Sequence, residues 1–125
     1  INIKYVRNAI LSYRVDQFEL VGLFGKKNFK VFYKKLMRNN VSFSMLDNLL
    51  GFLQLHLLKV LDTSYLDTKN RLTKYDKDIL SQAKIWTNEE LIEANINIFE
   101  LQKLAREKDP SLSNRLRESY LLQYL

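Results

Sequence analysis

Three glycines and a single proline punctuate 125 residues. Hairpins and sheet connections lean on those two residues, glycine for its positive φ and proline for its preset one. A chain with so few of them, rich in Leu, Lys, Asn and Glu, reads as long helices joined by polar segments. The apolar positions agree, because they recur at three and four along nearly the whole chain, which is the helical period. The expected fold class is all-α: a compact bundle of about six or seven helices, mostly antiparallel to their neighbours, with no strand. The length suits one domain with one core. Apolar residues at 46% and charged residues at 27% argue against disorder. There is no internal repeat at a fixed period.

The helix boundaries can be placed from local chemistry. Asn2 suits the cap of a first helix with Tyr5, Val6, Ala9 and Ile10 on one side, and a break follows near Tyr13. Asp16 with Glu19 has capping-box spacing, and Gly25 is placed to end that helix at a positive φ. Asn28 opens the next helix, with Phe29, Phe32 and Leu36 on its core face, and Asn39 and Asn40 close it. Ser44 with Asp47 has box spacing ahead of the most apolar stretch, which runs to Leu61. That stretch is apolar over most of its circumference, so it is expected to be central and buried on several sides. Gly51 inside it costs about 1 kcal/mol of helix propensity relative to Ala, which a close helix crossing would explain. Asp62 to Leu72 reads as a loop. Thr73 with Asp76 and Thr87 with Glu90 open two further helices. Asp109-Pro110 opens the last, since Pro fits the first helical position.

Several kinds of chemistry are excluded or unsupported. There are no cysteines, hence no disulfides, thiolate metal sites or thiol catalysis. His56 is the only histidine, so no site needing two imidazoles can form. It lies on an apolar helix with no acid one turn away, and reads as a satisfied core or boundary histidine. Asp76 with Asp78, and Glu89 with Glu90 and Glu93, fall in first turns of expected helices, where the helix dipole favours negative charge. No Gly-rich phosphate loop is present, and no Ser or Thr has an adjacent base. The expectation is a non-enzyme with no catalytic residue, metal or cofactor. No apolar run approaches the roughly 20 residues of a membrane span. The first residue is Ile1 rather than Met and no signal-peptide pattern follows, so the chain reads as a piece of a longer cytosolic protein.

Two segments stand out as candidate contact surfaces. The net charge of +6 comes from 20 basic and 14 acidic residues. Lys26, Lys27, Lys30, Lys34, Lys35 and Arg38 form a run without an acid, and outside it the two signs balance. At helical spacing Lys27, Lys30, Lys34 and Arg38 share one stripe. It is either a solvated helix face or a nucleic-acid contact that tracks phosphates, and on the second reading the chain is a stand-alone helical DNA- or RNA-binding domain using the basic helix 26–38. The terminal Tyr120, Leu121, Leu122, Tyr124 and Leu125 are apolar nearly all round. Either they insert into the core or they meet a partner.

Taken together, these segments resemble the C-terminal part of the delta subunit of bacterial DNA polymerase III, the clamp-loader subunit. Asp16 to Leu36, DQFELVGLFGKKNFKVFYKKL, is similar to the helix pair that opens that domain. Ser44 to Leu61 is similar to the leucine-rich helix that follows. Leu72 to Leu104, LTKYDKDILSQAKIWTNEELIEANINIFELQKL, resembles its later capped step and long helix, and Asp109-Pro110 with a leucine-rich last helix fits the close. Where the family has a His-Pro pair, this chain has Lys74-Tyr75. The resemblance implies that residues 1–12 end a preceding module, and that 13–125 form a single all-helical collar domain. Such a domain oligomerises with the other loader subunits and has no catalysis of its own, although its parent belongs to a DNA-directed DNA polymerase complex. The sliding clamp would be reached only through the family's N-terminal module. The implied setting is DNA replication in the bacterial cytoplasm.

Overall fold

The computed structural model describes residues 17–39 and 41–125. Among them are six α-helices and a short 3-10 turn, with no strand. Helix α1 covers 17–25, α2 is Phe29–Arg38 and α3 is Phe43–Leu61; α4 is Lys74–Ala83, α5 is Asn88–Arg106 and α6 is Leu112–Leu122. The segment expected to be a loop holds the 3-10 turn, Ser64–Leu66, which drops Leu66 into the core. The helix expected near Asn2 to Ile10, the module end at 1–12, and Asp16 and Asn40 lie outside the described residues. No helix among the described residues is long and apolar enough to cross a membrane.

Helices α3 and α5 pack antiparallel and form the spine. Asp47, near the start of α3, accepts hydrogen bonds from Gln102 Nε2 (2.8 Å) and Arg106 Nε (3.0 Å) near the end of α5. Between them lie Leu46, Leu50, Leu53, Leu57, Ile98 and Leu101, all buried. Each such side chain contributes about 1.5–3 kcal/mol by leaving water. The crossing is close at Gly51, where a Cβ would meet Gln102 Nε2 at 3.4 Å. That is ordinary contact, so the crossing accommodates Gly51 without requiring it. Helix α4 lies against α3, and α6 against both α2 and α5.

Helix α3 differs from expectation. Phe52, Leu55 and Leu58 are exposed, so it is enclosed on one side and not on several. Helices α4 and α5 cover its core face.

An aromatic corner locks α1 to the rest. The Phe24 ring meets Phe29 (4.9 Å), Phe32 (5.1 Å) and Trp86 (6.0 Å), at separations where edge and offset contacts are favourable. Trp86 Nε1–H donates to the Gly25 carbonyl at 2.7 Å. Gly25 is not the positive-φ stop expected of it. That role falls to Lys27, at φ 64°, while the Asn28 N–H reaches the Leu23 carbonyl and the Lys27 N–H the Phe24 carbonyl. This is the Schellman pattern with lysine in the left-handed position. Gly25 is instead a close approach, because a Cβ there would overlap the side-chain amide of Gln82. Lys108, at φ 53°, ends α5 in the same way, with the Asp109 N–H on the Leu104 carbonyl.

Two capping boxes form as expected. Thr73 accepts from the Asp76 N–H and Asp76 from the Thr73 N–H (3.1 and 3.0 Å), and Thr87 with Glu90 does the same (3.1 and 2.8 Å). The box expected at Ser44 is absent. Ser42 caps α3 by accepting the Met45 N–H at 3.2 Å, since Asp47 is turned to α5. The last helix starts at Leu112 and not at Pro110. Asp109 accepts the Ser111 N–H at 2.9 Å in a turn that holds the proline.

Candidate interaction surfaces

The structure divides the basic run. Lys27 is off the helix and half-buried, paired with Glu90 at 2.6 Å and lying 4.9 Å over the Trp86 ring. The Lys27 ammonium, with the Thr87 N–H, pulls the Glu90 carboxyl down to about 2. Lys35 pairs with Glu19. The stripe expected through Lys27, Lys30, Lys34 and Arg38 therefore loses its first member to a structural role. Lys30, Lys34 and Arg38 remain as one exposed row on α2. None of them has an acidic partner among the described residues.

The terminal apolar segment is not inserted in the core. Leu121, Leu122 and Tyr124 are about half exposed and Leu125 is 99% exposed, with only Tyr120 partly covered. Tyr120 and Tyr124 meet edge to face at 5.2 Å with their hydroxyls hydrogen-bonded at 2.6 Å. Lys30 Nζ lies 4.0 Å from the centre of the Tyr124 ring. Packing of α6 on α2 thus joins the two segments singled out in the sequence into one face.

A third surface lies along α3 and α5. Helix α5 buries Leu91, Ile98, Leu101 and Ala105 on one side. On the adjoining side Ile92, Ile96 and Phe99 are 53–62% exposed, and Leu58 of α3 is 52% exposed beside them. With Leu61 they line a groove of about 620 Å³, edged by Gln54, Asn95, Glu100 and Lys103. Contiguous apolar surface of this kind on a small domain marks an interaction site. The sequence places Leu58 and Leu61 in the helix expected to be buried and gives Ile92, Ile96 and Phe99 no contact role, although the signal is there. Positions 92, 96 and 99 form a second apolar row at helical spacing beside the row that makes the core.

His56 is tied to two neighbours. It is buried, with Nε2 2.5 Å from Gln82 Oε1 and Nδ1 3.0 Å from the Tyr75 hydroxyl. The amide oxygen can only accept, so Nε2 carries the proton and Nδ1 accepts from Tyr75. Burial lowers the imidazole pKa, and the Gln82 bond only partly opposes it. The ring is neutral with both nitrogens occupied, and it sits at the edge of a cleft of about 300 Å³ shared with Phe18, Val21, Phe52, Lys59 and Tyr75. No group of three His, Asp or Glu among the described residues is placed to hold a metal ion. Comparison with protein-family models, with curated proteins and with solved structures returned no match.

Proposed function

We propose that this chain is a non-catalytic assembly module that holds its parent protein in a larger complex through helix–helix contacts. The observation that carries this reading is the α3–α5 groove. Leu58, Ile92, Ile96 and Phe99 stay half exposed side by side along one groove of about 620 Å³, next to the row of α5 that fills the core. The terminal Leu121, Leu122 and Leu125 add further apolar surface. The resemblance to the delta subunit of bacterial DNA polymerase III gives the complex a concrete form. In it the chain is the collar domain of a clamp loader in the bacterial cytoplasm, and its partners are the other loader subunits. Access to the sliding clamp then runs through the family's separate N-terminal module.

Mixing this chain with the ATPase subunits of a bacterial clamp loader gives a complex that co-elutes in gel filtration. A Leu58→Lys/Ile96→Lys double variant keeps its helical circular dichroism and elutes alone. Elution of the unaltered chain apart from those subunits would reject the clamp-loader assignment. Undiminished co-elution of the double variant would move the contact off the α3–α5 groove.

A further inference from the structure

We infer that the face shared by α2 and α6 binds a single strand of nucleic acid, with Lys30, Lys34 and Arg38 on successive phosphates and Tyr124 as the platform for a base. The chain's whole excess of positive charge lies between Lys26 and Arg38. Lys27 and Lys35 are spent on Glu90 and Glu19, Lys26 is exposed in the turn before α2, and Lys30, Lys34 and Arg38 are left exposed along the helix. They stand four residues apart, so along the α2 axis they are about 6 Å apart. That interval is close to the step between phosphates on an extended strand. The helix carries no acid that would repel one.

The aromatic element is what selects a single strand. Bases that are not paired can stack on exposed rings, at a gain that does not depend on their identity. Tyr124 is 55% exposed at the head of the basic row, and its ring is held by the edge of Tyr120 and the bond between their hydroxyls. In the free protein the Lys30 ammonium covers the Tyr124 ring. On binding, the base takes that ring face and the ammonium moves to the adjoining phosphate. A duplex keeps its bases stacked on one another and would use the lysines alone. An acidic polypeptide would do the same. This face shares no residue with the α3–α5 groove that carries the assembly reading, so the two can fail independently.

The test is fluorescence anisotropy of the whole 125-residue chain with labelled oligo-dT, alongside a duplex of equal length and with poly-glutamate as competitor. The expected result is binding to oligo-dT, stronger than to the duplex. Its log affinity falls against log salt with a slope of about −2, from three phosphate contacts at about 0.7 each. Lys30→Gln/Lys34→Gln removes more than half of that slope. Tyr124→Leu, at an exposed terminal position, weakens oligo-dT about tenfold and leaves the slope unchanged. Absence of oligo-dT binding at low salt overturns the inference. So does equal binding of the duplex, or an oligo-dT affinity indifferent to Tyr124→Leu. Poly-glutamate that displaces oligo-dT as well as unlabelled oligo-dT does would reassign the face to acidic proteins.

Discussion

Gly25 stands so close to Gln82 that a Cβ on the glycine would overlap the side-chain amide. Gln82 is buried and is also the partner of His56 Nε2. A methyl group at Gly25 therefore pushes on the hydrogen-bond chain from Gln82 through His56 to Tyr75. Gly25→Ala should destabilise the fold by about 1–3 kcal/mol through overpacking. Gly22, one turn earlier in the same helix, has nothing within 4 Å of its would-be Cβ. Gly22→Ala should stabilise by about 0.5–1 kcal/mol. Urea unfolding of the two variants checks the opposite signs.

Lys108 holds a left-handed backbone at φ 53°, which strains any residue with a Cβ. Lys108→Gly should gain about 0.5–1 kcal/mol in thermal or urea unfolding. Lys27→Gly relieves the same strain, but it gives up the Glu90 pair and the contact with Trp86. Its gain should be smaller than that of Lys108→Gly, or absent.

The helix starts are unequal. The side chains of Thr73 and Thr87 each satisfy a backbone N–H in a reciprocal box, and replacing either by Ala should cost about 1 kcal/mol. The Ser111 side chain makes no cap hydrogen bond. Ser111→Ala should be close to neutral by the same measurement.

Acid should weaken the fold in two separate windows. Burial lowers the His56 pKa below its ordinary 6.5. The unfolded chain thus binds a proton there that the folded chain refuses, and stability falls as pH drops below about 6.5. Lys59 and Asp78 are the charged groups that act on this ring, in opposite directions. Glu90 is lowered from 4.5 to about 2, so its contribution is complete above pH 4.5 and fades as pH falls towards 2. Urea midpoints of His56→Asn should lose the upper step, and those of Glu90→Gln should shrink the lower one without removing it, because hydrogen bonds also hold the Asp62, Asp76 and Asp109 carboxyls low.

Much of this architecture was legible beforehand. The all-helical fold and the boxes at Thr73 and Thr87 follow from period and spacing, because both are local. The core roles of Phe29, Phe32 and Leu36 follow in the same way. What could not be read was tertiary. Gly25 looked like a conformational glycine because sequence does not reveal Gln82 beside it. Asp47 looked like a cap because sequence does not reveal Gln102 and Arg106 across the crossing. The Leu58, Ile92, Ile96 and Phe99 groove is hidden in the sequence for a related reason. Its residues are as apolar as the core, and only the number of helices available to cover them decides which rows stay in water.

Helix α5 carries two apolar rows, one in the core and one in solvent. This links folding to occupancy. Whatever covers Ile92, Ile96 and Phe99 on the folded chain alone draws the unfolding equilibrium towards the folded state, by about 2.7 kcal/mol at a hundred times its dissociation constant. The melting temperature of this protein then measures the concentration of its partner as much as the quality of its own core.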